Sequence, residues 1–152
     1  MCLVCDRIEM IRQGKNPYFV RETKTGYIVI GDHQHFKGYT LFLCKEHKIE
    51  LHELDETYKM LFLKEMSLVA EAVQKAFNAD KMNYELLGNG DTHLHWHLFP
   101  RKEGDLGEYG NVGKGPVWWY PREKMYDKSN CPNDKELYSM KEKLELELEK
   151  VL

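Results

Sequence analysis

Along the chain the spacing of apolar positions changes period several times, and each change marks an element. Tyr18 to Thr23 and Tyr27 to Gly31 are short β-branched and aromatic runs on either side of Lys24-Thr25-Gly26, the pattern of a β-hairpin. Gly38 to Lys45 predicts a third strand after the polar turn Asp32-His33-Gln34-His35. From Asp55 to Phe77 the period lengthens: Tyr58, Phe62, Met66, Val69, Val73 and Phe77 recur at steps of three and four. Asp55-Glu56 adds negative charge to the first turn, so this segment reads as a long amphipathic helix. Lys81 to Leu87 and His93 to Arg101 read as two more strands, joined by Gly88-Asn89-Gly90-Asp91-Thr92. From Asn133 onward, Leu137, Met140, Leu144, Leu148 and Val151 form one helical stripe among Glu and Lys, a helix expected to dock on the domain or on a second subunit. A meander of about five strands with a helix laid across it is an α+β fold.

Between the last strand and that C-terminal helix, Gly104, Gly107, Gly110, Gly113 and Gly115 lead into Pro116-Val117-Trp118-Trp119-Tyr120-Pro121. A loop of this length inside a compact chain is expected to be functional or mobile. The chain therefore reads as a domain over residues 1–116, followed over 117–152 by an aromatic segment and a helix packed on the domain or on a partner.

Composition narrows the class. The 152 residues suffice to bury roughly 70% of the unfolded surface, so no disulfide framework is required. Hydrophobic residues at 42% and charged residues at 31% argue against disorder. Lys and Arg total 22 against 25 Asp and Glu, for a net charge of −3, and no block of like charge stands out. That balance offers no general basis for binding nucleic acid or an anionic membrane, so an anionic ligand must be held by a local site. The longest apolar stretches, such as Tyr39 to Cys44, fall far short of the about 20 residues of a membrane helix. Asp6 and Glu9 interrupt what would be the apolar region of a signal peptide, and a cytoplasmic protein is expected. Of the four cysteines, Cys2 and Cys5 form a close pair that in a reducing compartment points to metal or redox chemistry; Cys44 and Cys131 read as inert.

The informative segment is His93-Leu94-His95-Trp96-His97-Leu98-Phe99-Pro100-Arg101. On a strand the three imidazoles share one face, while Leu94, Trp96 and Leu98 share the other. Such a row can bind a metal through neutral nitrogens, or one ring can act as nucleophile while a neighbour stabilises the oxygens of a phosphate. His33, His35 and His52, outside this row, are expected to be solvated surface residues. Gly88-Asn89-Gly90 reads either as a plain hairpin turn or as a source of N–H donors for an anion.

These residues resemble the histidine triad family, whose motif alternates three histidines with apolar residues and ends in two apolar positions; His93 to Phe99 fits at every position. Gly38 to His47, the long helix, and Met82 to Asn89 resemble the family's other elements in the same order. The resemblance implies a fold with a five-stranded antiparallel sheet, usually in a homodimer, that cleaves or transfers nucleoside monophosphates. His95 would attack the α-phosphorus and form a nucleotidyl-histidine intermediate, and His97 would bind a phosphate oxygen. Asn89 and Thr92 would supply donors, and Asp32 is the nearest match to the family's ribose-binding residue, although a simple turn aspartate fits it as well. In some members a cysteine pair, a later histidine and the first triad histidine hold structural zinc; Cys2, Cys5, His47 and His93 match those positions. No catalytic metal is required by that mechanism. Where many triad hydrolases carry a histidine, this chain has Tyr39, and its loop before the triad, Gly90-Asp91-Thr92, is shorter. The substrates so implied are dinucleoside polyphosphates, such as diadenosine tetraphosphate, or nucleoside phosphoramidates. The competing readings are a nucleotide-binding or scaffold protein without catalysis, and a hydrolase in which His93, His95 and His97 share one catalytic ion.

Overall fold

A computed structural model describes residues 1–152, apart from the side chain at position 112. The five strands are β1 (Phe19–Glu22), β2 (Gly26–Ile30), β3 (Thr40–Cys44), β4 (Lys81–Glu85) and β5 (His95–Arg101), paired antiparallel in the order β1-β2-β3-β5-β4. Alternation on these strands divides the sheet into two faces. One face presents Ile28, Ile30, Phe42 and Leu98 to two long helices, α2 (Glu56–Phe77) and α5 (Asp134–Val151). Phe62, Val69 and Val73 of α2 and Leu137, Leu144 and Leu148 of α5 complete that core. The stripe predicted for the C-terminal helix is therefore buried within the same chain, and its own cap is Asn133, whose side chain accepts from the Glu136 N–H.

Asp55 is the N-cap of α2, accepting from the Thr57 N–H, and Asn78 closes the helix in the left-handed conformation. Further along α2, the carboxylate of Glu65 is buried and accepts from the N–H groups of Lys24 and Thr25 and the hydroxyls of Thr23 and Thr25, clamping the β1-β2 hairpin onto the helix. Four such bonds are what allow a carboxylate to sit in the core.

The opposite face carries Tyr27, Val29 and Leu43, and against them lies α1 (Leu3–Arg12) through Val4 and Ile8. This helix is absent from the sequence reading. Its apolar stripe is only Val4, Ile8 and Ile11, and its cap is the thiol of Cys2 rather than a hydroxyl or carboxylate. The strand predicted from His93 begins instead at His95; the Leu94 carbonyl and N–H still bond to Cys44 and Lys48 across β3's end, but His93 itself turns away from the ladder.

After β5 come two short helices, α3 (Gly110–Gly113) and α4 (Arg122–Met125). Leu106, Val117 and Met125 pack with Phe36 and Phe99 in a third apolar cluster on the α1 side. The buried guanidinium of Arg101 ties this segment down: it pairs with both oxygens of Asp105 and donates to Asn83 Oδ1 and to the carbonyls of Gly113 and Gly115. No helix among the described residues is long and apolar enough to cross a membrane.

Candidate functional site

The face that carries α1 also carries the triad. His95 and His97 project from β5 with ring centroids 4.7 Å apart, at the end of a cavity of about 310 Å³. Its floor is Val29 of β2 with Leu41 and Leu43 of β3; α1 contributes Leu3, Val4 and Arg7 as one wall. An apolar cleft with a few convergent polar groups at one end is the form of a small-ligand site.

Hydrogen bonds assign each imidazole a different task. His95 Nδ1 lies 2.6 Å from the His93 carbonyl, which can only accept, so the ring donates there and keeps its Nε2 lone pair for the cavity. His97 Nδ1 lies 2.6 Å from the Tyr39 hydroxyl. Burial holds the phenol proton of Tyr39 well above its ordinary range, so Tyr39 is a donor. Burial, with a smaller contribution from the charge of His95, lowers His97 to about 4. His97 therefore accepts at Nδ1 and presents Nε2–H. One ring offers an electron pair and the next a hydrogen-bond donor.

Tyr39 is set in place by the turn before it. Gly38 has φ of +93°, and a Cβ there would stand 2.4 Å from the Phe77 ring, so only glycine fits; its N–H donates to Gln34 Oε1 at 2.8 Å. The Tyr39 ring then stacks on Phe99 at 4.1 Å.

His93 faces the other way. Its Nε2 donates to the Cys44 carbonyl at 2.8 Å, leaving Nδ1 to face Cys2 Sγ at 3.5 Å and Cys5 Sγ at 3.4 Å. His47 Nδ1 is 3.2 Å from Cys5 Sγ, and the ligand atoms of Cys2, Cys5, His47 and His93 all lie within 4.8 Å of one another. Two thiols and two imidazole nitrogens at such separations suit a tetrahedral zinc ion, and the carbonyl behind His93 is the kind of partner that orients a ligating ring. Burial and then the neighbouring Cys2 push the Cys5 thiol up to about 11, the opposite of an activated redox cysteine.

The remaining predicted residues divide. Asp32 lines the cavity and receives a two-pronged ion pair from Arg7, at 2.6 and 3.3 Å. Asn89 and Thr92 lie exposed on the turn before the triad, and neither lines the cavity. From that turn Asp91 points inward instead, accepting from the Val4 N–H at 3.0 Å and so binding the first turn of α1. His33 and His35 are corrected from solvated to half-buried: His33 meets Tyr126 edge-on and lines the cavity, and His35 stacks on Tyr120 at 3.9 Å. The aromatic segment that brings those tyrosines follows from the Arg101 clasp. Trp118 stands edge-on to His97, with its N–H on Glu85 at 2.9 Å, outside the cavity lining. Arg7, Asp91 and Tyr126 were missed; the step Val4, Ile8, Ile11 was the one signal that could have placed Arg7 beside the site.

Comparison with known proteins agrees with this geometry. Residues 15–104 match the HIT domain family. An uncharacterized HIT-like protein of Methanocaldococcus jannaschii is 31% identical over 85 residues, which span 50% of this chain and 66% of that relative, just under two thirds of its length. A histidine triad protein of Bradyrhizobium japonicum has the same fold, with a TM-score of 0.69 at 20% identity over 86% of this chain and 89% of its own. A zinc-bound histidine triad family protein of Mycobacterium smegmatis also shares it, with a TM-score of 0.63 at 17% identity over 98% of this chain and 94% of its own. With the triad motif, the five-stranded antiparallel sheet and a matched segment covering more than half of its length, the chain belongs to the HIT domain family.

Proposed function

We propose that this protein is a nucleotide hydrolase or transferase that cleaves at the α-phosphate of dinucleoside polyphosphates or nucleoside phosphoramidates through a nucleotidyl-histidine intermediate. The observation that carries the reading is the pair of opposite hydrogen-bond roles on β5, with His95 Nε2 left as a lone pair and His97 Nε2 left as a donor at the same cavity end. In this reading the nucleoside lies over Val29, Leu41 and Leu43, its sugar hydroxyls donate to Asp32, and the α-phosphate meets the two histidines. His95 Nε2 forms the bond to phosphorus as the bond to the leaving group breaks. The resulting imidazolium keeps its Nδ1–H on the His93 carbonyl, and His97 donates to a phosphate oxygen. Water then attacks phosphorus, the P–N bond breaks, and His95 recovers its lone pair. The contribution of the fold is position and charge stabilisation, as phosphoryl chemistry requires. Trp118 stands beside His97, outside the cavity lining, and would meet the leaving group.

Cys2, Cys5, His47 and His93 would hold a structural zinc ion, which fixes the N-terminus to the sheet when bound. The zinc-bound relative of M. smegmatis supports that part of the reading. The geometry of His93 disfavours a single catalytic ion shared by the triad, because both of its nitrogens are directed elsewhere. The edge strand β4, with Tyr84 and Leu87 exposed at its end, offers a surface for a homodimer.

The test is AMP release from diadenosine tetraphosphate and adenosine phosphoramidate by wild type and His95→Asn, each before and after brief chelation. Release by wild type alone, insensitive to chelator at first, supports the mechanism. AMP binding without turnover by either protein leaves a binding module instead.

A further inference from the structure

The cavity and the Cys2-Cys5-His47-His93 cluster share one short helix. On α1, Cys2 and Cys5 are three residues apart and face the cluster, whereas Leu3 and Arg7 are four apart and face the cavity. A helix of ten residues is too short to be stable alone, so its position depends on what holds it. Val4 and Ile8 pack on the sheet, Asp91 accepts from the Val4 N–H, Asn16 donates to the Arg7 carbonyl, the cluster lies at the first turn, and Arg7 reaches Asp32 with its guanidinium over the Tyr18 ring.

The Arg7–Asp32 pair is about one third exposed, and such a pair adds little to stability. Its consequence is orientation. A carboxylate offers about four lone-pair sites, and a two-pronged guanidinium occupies two. The other two remain as acceptors for a vicinal diol, on a carboxylate that lines the cavity and is held in one orientation. Among the described residues, Asp32, on a turn, has no other side-chain partner to hold it.

We propose that α1 couples the two sites: Arg7 is a positioning residue that fixes Asp32 for the sugar of a ribonucleotide, and a metal held by Cys2, Cys5, His47 and His93 preorders α1, and thereby the pocket. This rests on the nucleotide reading of the cavity given above. Coupling of this kind is reciprocal, so a bound ribonucleotide raises the affinity of the cluster for its metal by the same factor.

The experiment is calorimetric titration of AMP and of 2′-deoxyadenosine monophosphate into the full chain, zinc-loaded and chelator-stripped, as wild type, Arg7→Ala and Arg7→Lys. Zinc affinity is measured in parallel by competition with a chromophoric chelator, with and without AMP. Stripping is expected to weaken AMP about tenfold, within the usual range of coupling between sites. Zinc-loaded Arg7→Ala loses a similar factor, discriminates less between AMP and its 2′-deoxy form, and shows little further loss on stripping; Arg7→Lys recovers part of the loss. AMP raises the zinc affinity of wild type but not of Arg7→Ala. Equal AMP affinity in loaded and stripped wild type, or Arg7→Ala that binds both nucleotides as wild type does, overturns the coupling while leaving the nucleotide site intact. If the stripped protein unfolds, the zinc-loaded variants and the effect of AMP on zinc affinity decide the matter alone. Zinc-loaded wild type that binds neither nucleotide overturns the reading of the cavity itself, and the coupling with it.

Discussion

Tyr39→Phe removes one oxygen and tests how the triad is wired. The phenol donates to His97 Nδ1 at 2.6 Å, and its ring stacks on Phe99 at 4.1 Å with an interplanar angle of 1°. Phenylalanine keeps the stack and deletes the donor. His97 is then left with a buried, unpaired acceptor, a loss of about 1–3 kcal/mol, or it moves its proton to Nδ1 and no longer presents Nε2–H to the phosphate. In the second case the transition state loses its donor, and in the first the donor is held only against that cost. At about 1.4 kcal/mol per factor of ten, kcat/KM for AMP release should fall roughly 5- to 150-fold. The sugar end of the cavity is untouched, so adenosine affinity stays near that of wild type while kcat/KM falls. The assay is steady-state AMP release from adenosine phosphoramidate at neutral pH, beside an adenosine titration. A Tyr39→Phe protein with wild-type kcat/KM would refute the claim that the phenol sets the proton on His97.

Three other perturbations follow from the same contacts. With His97 lowered to about 4 when folded and an imidazole near 6.5 when unfolded, the unfolded chain binds the extra proton between those values. Stability contributed by keeping His97 neutral is therefore full above pH about 6.5 and lost as pH falls toward 4, and His97→Asn should flatten denaturant-measured stability across that window by about 1–3 kcal/mol. Arg101→Met strands the Asp105 carboxylate, 12% exposed, and unties Gly113 and Gly115; a loss of about 3–5 kcal/mol and faster proteolysis between residues 104 and 116 are expected, and an unchanged cleavage pattern would refute the clasp. Trp118→Ala should lower kcat/KM for substrates with an aromatic leaving group more than for those with an alkyl one, with AMP affinity unchanged, since the indole borders His97 but not the cavity.

Local pattern made much of this fold legible. The steps from Tyr58 to Phe77 specify a helix wherever they occur, and both long helices begin at the capping residues that open them, Asp55 and Asn133. The alternation from Leu94 to Phe99 likewise separates a chemical face from a packed one. What stayed hidden is contact between residues distant in sequence. Tyr39 reaches His97 only because β3 and β5 pair in the register that sets Leu41 opposite His97. His93 leaves the strand because its two nitrogens are claimed by Cys44 and by the cysteines of α1, which lie on separate elements. Asp91 is committed to the N-terminus of α1, a helix whose three-residue apolar stripe is too slight to detect without the sheet it covers. The turn before the triad was expected to offer Asn89 and Thr92 to the ligand; both point to solvent, because the turn's inward position is taken by Asp91.

The most direct test of the central claim is intact-protein and peptide mass spectrometry of wild type and His95→Asn, mixed with adenosine phosphoramidate and quenched in alkali during turnover. The account predicts wild type carrying one adenylyl group on the peptide that contains His95, while His95→Asn carries none and releases no AMP. Turnover by His95→Asn at the wild-type rate, or an adduct on another residue, would contradict it.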